Sequence, residues 1–310
     1  MSATHDAPRT VLALIEAVAT RLEKAGLTLA DGFGQGTLTA FDEAAWLVLW
    51  RLGLPLDSLD DEAERIVSAE ELAAVTALVD ERIATRKPAA YLTKEAWLLG
   101  VPFYVDERVI IPRSFIAELL ADASIDPWLG EDTRRVLDLC TGNGSLAVLA
   151  AMTYPDVSVD AADISADALA VAAINVERHQ LQDRIRLIES DGLAACGSGD
   201  ASYDLILCNP PYVNAATMAA LPAEFRAEPA LALAGDRHGA GDGMDFIRDL
   251  FLAAARHMSE NAVLVLEIGN ERANFERAFP GIDPLWFETS AGADQVLLLT
   301  RQQLEPLAAS

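Results

Sequence analysis

Apolar residues Val11, Leu12, Leu14, Ile15, Val18 and Leu22 recur at helical spacing, and the segment from residue 8 to 87 continues as helices. "DGFGQGT" at 31–37, with three glycines, predicts a break after the first helix. "FDEAAWLVLWRLGL" (41–54) predicts a second, more apolar helix, ended by Gly53 and Pro55. "SAEELAAVTALVDERIATRK" (68–87) opens on Ser68 with Glu71 three residues later, a capping-box pattern, and Pro88 lies beyond its end. From 91 to 112 the pattern turns extended, and Gly100-Val101-Pro102 between two apolar stretches predicts a hairpin. From about residue 134 strands and helices alternate. "RVLDLC", "VSVDAAD", "IRLIES", "YDLILC" and "AVLVLEIG" read as strands, "SLAVLAAMTY" and "SADALAVAAINVERHQ" as helices, and "PLWFETSAGADQVLLLT" as two strands around a glycine turn. This alternation predicts an α/β fold, a mostly parallel sheet with helices on both faces. The expected division is a helical domain at 1–90, a β-hairpin connector at 91–112 and an α/β domain at 113–310. For the helical part, substrate recognition and structural support are both open.

Composition narrows the chemistry. With 310 residues, 52% of them hydrophobic, the chain can bury at least one large core. Its 48 acidic and 23 basic residues give a net charge of −25, which disfavours a phosphate backbone and favours a basic protein partner or simply solubility. Direct nucleic-acid binding is therefore not expected. Cys140, Cys196 and Cys208 form no CxxC pair and read as reduced thiols packed in a core, as in a cytoplasmic protein. His5, His179, His238 and His257 have no metal-ligand spacing, so no metal site is expected. Asp6 and Glu16 stand where a signal peptide would be basic and then apolar, and no apolar run reaches membrane-spanning length.

"VLDLCTGNGSLA" (136–147) places Gly142-Asn143-Gly144 between a strand and a helix, and Ala147 completes G-x-G-x-x-A. Asp163 ends the next strand, where an acid can hold both ribose hydroxyls, and Asp191 follows the third as a candidate acceptor for an adenine amino group. Either acid could instead cap the helix that follows it. Asp138, inside the first strand, decides between nucleotides. A pyrophosphate gains nothing from a nearby carboxylate, whereas a methionine ammonium and a methyl sulfonium do. D-x-x-x-G-x-G resembles the glycine motif of class I S-adenosylmethionine-dependent methyltransferases, which implies a Rossmann-like, seven-stranded, mostly parallel sheet and a cofactor site at Asp138, Gly142, Gly144, Asp163, Asp191 and Asn209.

"YDLILCNPPYV" (203–213) is an apolar strand stopped at Asn209, Pro210, Pro211 and Tyr212. One proline suffices to end a strand. An amide or exocyclic amine is a poor nucleophile because its lone pair is delocalised, so a methyl acceptor of this kind needs partners for its N–H bonds. The Asn209 side-chain oxygen and the Pro210 carbonyl can be those partners, the prolines stiffen the loop, and Tyr212 can stack on a planar group. Preorganised positioning can contribute on the order of 7–11 kcal/mol at best.

N-P-P-Y after an apolar strand resembles the amino methyltransferases. "AYLTKEAWLLGVPFYVDERVIIPRS", "VLDLCTGNGSLA", "ADISADALAVAAINVERH", "SDGL", "NPPYV", "EPALAL", "GDGMDFIRDL" and "VLEIG" resemble the protein-glutamine methyltransferase family across nearly the whole chain. "IIPRSFIAEL", "FYVDERV" and "FGQGTLTAFDEA" are similar to its branch acting on large-subunit ribosomal protein three. The resemblance implies S-adenosylmethionine as cofactor, a ribosomal protein as substrate, Asn209, Pro210 and Tyr212 as catalytic residues, and Asn209, Pro210, Pro211, Tyr212 and Arg113 on the substrate side, with Glu118 nearby. The alternatives are glutamine methylation of release factors, adenine methylation of DNA, a non-catalytic ribosome assembly factor and, remotely, a nicotinamide dehydrogenase that would leave the N-P-P-Y tetrad unexplained.

Overall fold

A computed structural model describes residues 10–27 and 36–308. The predicted glycine break at 31–37 lies, for residues 31–35, outside the described residues. The chain divides into two compact units, residues 1–95 with 222–227, and 96–221 with 228–310. The return of 222–227 to the first unit has no counterpart in the local sequence pattern.

The first unit is helical, with α1 (Val11–Lys24), α2 (Ala40–Leu52), α3 (Leu59–Glu62), α4 (Ala69–Thr85) and α5 (Ala89–Thr93). Val11, Ile15, Val18 and Leu22 of α1 pack with Val48 of α2 and with Val75 and Val79 of α4. Each such buried side chain contributes about 1.5–3 kcal/mol. The Ser68–Glu71 capping box is formed, with the Glu71 N–H donating to Ser68 Oγ at 3.2 Å and the Ser68 N–H to Glu71 Oε2 at 2.9 Å. Arg82, fully buried, donates from Nε to Glu43 at 2.8 Å and from Nη1 to Glu224 at 3.3 Å. Glu224 is how the returning segment is held, since a buried carboxylate is stable only when paired.

The second unit begins at Ala96, inside β1 (Glu95–Leu98), which forms the expected hairpin with β2 (Val101–Tyr104). Its turn falls one residue earlier than Gly100-Val101-Pro102. Leu99 and Gly100 both take positive φ, while Val101 and Pro102 belong to the strand. The extended reading of the whole of 91–112 also fails at its ends. Residues 89–93 coil into α5 behind Pro88, and 105–112 are irregular. Then follow α6 (Ile116–Ala121), β3 (Arg135–Leu139), α7 (Ser145–Thr153), β4 (Ser158–Asp163), α8 (Ala166–Arg178), β5 (Ile185–Glu189), β6 (Tyr203–Cys208), α9 (Ala215–Ala220), α10 (Asp245–Ala253), β7 (Met258–Glu267), α11 (Arg272–Ala278), β8 (Leu285–Thr289), β9 (Gly292–Thr300) and α12 (Arg301–Ala308). The seven-stranded sheet runs β5-β4-β3-β6-β7-β9-β8, parallel from β5 to β7, with β9 antiparallel to both β7 and β8. Side chains alternate across it. Val136, Leu205 and Val263 enter a core shared with α6 and α7, and Leu137, Ile206 and Leu264 one shared with α10 and α12.

Candidate active site

Strand register builds the site. Leu139, last in β3, pairs with Ala162 of β4 and Cys208 of β6, Asp163 pairs with Glu189, and Cys208 pairs with Leu266. The parallel strands therefore end level, and Cys140, Asp163, Ser190 and Asn209 emerge along one rim. The strand order reverses between β3 and β6, where ligands bind in sheets of this kind. A cavity of about 610 Å³ opens there. Gly142, Asp163, Ile164, Ser165, Ser190 and Gly192 line it from the β3–β5 ends, Asn209 and Pro211 from the end of β6, and segments 108–110 and 229–232 complete the wall.

The carboxylate of Asp163 accepts the Gly142 N–H at 2.9 Å and the Ser165 N–H at 2.9 Å, one on each oxygen. Ser165 itself caps α8, accepting from the Ala168 N–H. Asp163 thus fixes the glycine loop and still faces the cavity, and burial raises its pKa. Asp138 does not line the cavity. Its Oδ2 accepts from Thr141 Oγ1 at 2.5 Å and from the Ala147 N–H in the first turn of α7 at 3.0 Å. Its Oδ1 is buried with no partner among the described residues, and burial pushes its pKa up to about 7. Gly144 also lies off the cavity, at the α7 N-cap with φ +82°. A β-carbon there would sit 3.2 Å from that of Ala172, so glycine lets α7 start against α8. Asp191 is mostly exposed and pairs with Arg237 at 2.9 Å, and its neighbours Ser190 and Gly192 line the cavity in its stead.

At the end of β6, Asn209 is half-buried and Pro210 buried. Among the described residues, neither the Asn209 side-chain amide nor the Pro210 carbonyl has a hydrogen-bond partner. Tyr212 does not line the cavity, being packed against the β6–β7 core, where burial raises its pKa. Its backbone and ring lie so close to Gly243 and Gly269 that β-carbons there would fall 2.2 Å and 2.7 Å away. Arg113 is engaged by Glu228 through two bonds, Nη1 at 2.6 Å and Nη2 at 2.8 Å, and is absent from the cavity wall. Glu118 accepts from the Ser290 N–H at 2.8 Å, also away from the cavity.

Three residues that hold the site were not singled out by sequence reasoning. Glu267, at the end of β7, accepts from Ser114 Oγ at 2.6 Å and from the Phe115 N–H at 2.9 Å. Glu228 accepts from the Ile111 N–H at 3.0 Å besides Arg113. Asn175, fully buried in α8, bonds both the N–H and the carbonyl of Tyr104 and donates to the Asn143 carbonyl at 2.8 Å, tying the glycine loop to the hairpin. "VLEIG", "EPALAL" and "AINVERH" contained them, yet their partners lie far away in sequence.

Burial raises the Glu267 pKa to about 7, as it does that of Asp138. A carboxyl whose pKa is raised in the folded state binds its proton more tightly there than when unfolded. Its stabilisation is present below the unfolded value near 4 and is lost as pH rises through about 7. The melting temperature should therefore rise as pH is lowered from about 8 to about 5. Glu267→Gln, measured by thermal unfolding across that range, should flatten the slope. An unchanged slope would show that Glu267 does not titrate there.

A doubly wound sheet with one reversed strand, β9, a glycine loop after β3 and an Asn-Pro-Pro-Tyr loop after β6 define a Rossmann-like methyltransferase. The family model described as "Methyltransferase small domain" matches residues 117–235. The chain is 50% identical over 298 residues to the ribosomal protein uL3 glutamine methyltransferase of Bordetella pertussis, covering 96% of each chain. It is 48% identical over 308 residues to that of Burkholderia pseudomallei (97% of each), and 46% identical over 298 residues to that of Neisseria meningitidis serogroup B (95% of this chain, 94% of the relative). The chain belongs to the family of ribosomal protein uL3 glutamine methyltransferases.

Proposed function

We infer that this protein transfers a methyl group from S-adenosylmethionine to the side-chain amide nitrogen of a glutamine in ribosomal protein uL3. The observation that carries this reading is the uncommitted Asn209 amide, with the Pro210 carbonyl beside it, at the end of β6 on the cavity that Asp163 and Gly142 also line.

The cavity and its polar groups fit the cofactor. About 610 Å³ holds a nucleoside with an amino-acid arm. Asp163 retains lone pairs for two ribose hydroxyls, and the open Gly142 backbone allows close approach. Asp138 acts through the glycine loop, holding Thr141 and the start of α7 in place. When bound, the cofactor supplies an electrophilic methyl carbon. Asn209 Oδ1 and the Pro210 carbonyl accept the two N–H bonds of the target amide, fix its plane and turn the nitrogen lone pair toward the methyl. Pro210 and Pro211 limit the loop's freedom, so these acceptors need little reorganisation in the transition state. Tyr212 supports the loop from beneath. No strong general base is required, because the nitrogen becomes acidic as it gains positive charge and can release its proton to solvent.

The substrate is a basic protein. A surface carrying −25 steers such a partner, so the apparent on-rate should fall as salt rises, exposed charges being screened within about 8–10 Å at 0.1–0.15 M ionic strength. Stopped-flow association with uL3 at several salt concentrations measures this, and a salt-independent rate would remove the steering role of the charge. The test of the function is competition between isolated uL3, a release factor and duplex DNA at matched concentration and salt. Preference for uL3 is expected, and preference for either competitor would overturn the substrate assignment.

A further inference from the structure

We propose that residues 229–232 form a fixed strap at the cavity and that Leu231 on it contacts the uL3 segment flanking the target glutamine, making it a specificity-determining residue. This rests on the methyltransferase reading above.

The strap is anchored at both ends. At one end the Val213 N–H donates to the Leu233 carbonyl at 2.8 Å and the Gly235 N–H donates to the Val213 carbonyl at 3.0 Å, so 233–235 runs parallel beside the residue that follows Tyr212. At the other end Glu228, almost fully buried, accepts from the Ile111 N–H at 3.0 Å and takes both terminal nitrogens of Arg113 at 2.6 and 2.8 Å. A bidentate Arg–carboxylate pair fixes orientation as well as distance. Arg113 also donates to the Ile111 carbonyl at 3.1 Å, so the clasp holds the segment that leads out of the Arg108–Ile110 wall. Between the anchors, Pro229, Ala230, Leu231 and Ala232 all line the cavity.

Singly exposed leucines are ordinary on protein surfaces. Leu231 differs in lining the cavity and in being held from two sides while 56% exposed, between two alanines too short to cover it. Its connection runs to the acceptor loop. The strap joins Val213 after β6, whereas Asp163 and Gly142 lie at the ends of β4 and β3. A chain segment entering to place a glutamine amide at Asn209 therefore meets the strap, and an apolar contact there sorts substrates by the residue beside the glutamine. Glu228 and Arg113 are positioning residues, which act by holding the strap.

The experiment compares Leu231→Ser, Arg113→Lys and a control, Leu252→Ser, an exposed leucine on α10 that does not line the cavity. Methylation of isolated uL3 is followed with peptide mapping, and cofactor affinity is measured by calorimetry. Wild-type transfer to a uL3 glutamine is the first readout, and its failure sinks the functional reading itself. Given that transfer, Leu231→Ser should raise KM for uL3 about tenfold or more, the scale of a lost apolar pocket contact, with cofactor affinity and melting temperature unchanged. Arg113→Lys, which keeps the charge and loses the fork, should raise the same KM. Leu252→Ser should leave it unaltered. An unchanged KM in Leu231→Ser, or a cofactor affinity that weakens in step with KM, would overturn the proposal.

Discussion

Asn209→Ala is expected to lower turnover by about 10²–10³-fold, roughly 3–4 kcal/mol of transition-state stabilisation. Cofactor affinity should remain nearly intact. The two effects separate because the Asn209 amide lies at the end of β6, while the groups proposed to hold the nucleoside lie at the ends of β3 and β4, where the Asp163 carboxylate accepts the Gly142 and Ser165 N–H groups. The side chain has no hydrogen-bond partner among the described residues, so its removal breaks no internal network and the fold should survive. Single-turnover rates and calorimetric cofactor titration on the same preparation check both halves. Near-normal turnover would mean that the Asn-Pro-Pro-Tyr loop is structural.

Gly243→Ala should be nearly as damaging while touching nothing that reacts. A β-carbon there would lie 2.2 Å from the Tyr212 carbonyl oxygen and 3.1 Å from the Asn214 nitrogen, in a residue whose φ is +78°. The strained backbone costs on the order of 1–3 kcal/mol. The larger consequence is that the acceptor loop must move, and a shift of about 1 Å in a positioning loop can lower the rate 10²-fold. The expected outcome is a turnover about a hundredfold down, a modest loss in melting temperature and an unchanged cofactor affinity. A variant with normal turnover would show that the loop tolerates displacement, and the preorganisation argument for Pro210 and Pro211 would lose its basis.

The parts of the fold legible in the sequence are those whose cause is local. The capping box at Ser68–Glu71, the alternation from Arg135 onward and the proline stop after Cys208 each depend on neighbours within a few residues. The hairpin was legible as a hairpin, but not its turn. Pro102 reads as a turn residue, yet it sits in β2, and the positive-φ pair is Leu99-Gly100, a conformation that leucine does not advertise. The site residues divide in the same way. Gly142, Asp163 and Asn209 follow strand ends, and the register carries them to one cavity. Asp138, Gly144 and Tyr212 shape that cavity from behind it. Arg113, placed on the substrate side by the resemblance of "IIPRS", is instead engaged by Glu228, 115 residues away. Glu267 and Ser114 are separated by 153 residues. Pairs at such distances are products of topology, and no spacing rule reaches them.

The proposed methyl acceptor is a glutamine side-chain nitrogen of uL3. Incubating the protein and isolated uL3 with methyl-labelled S-adenosylmethionine, then fragmenting the labelled peptide in a mass spectrometer, tests it most directly. One added methyl on the side-chain amide of a single glutamine is expected, appearing about 10²–10³-fold more slowly when Asn209→Ala replaces the wild type. Label on a lysine or arginine of uL3, or label that persists at full level in Asn209→Ala, would contradict it.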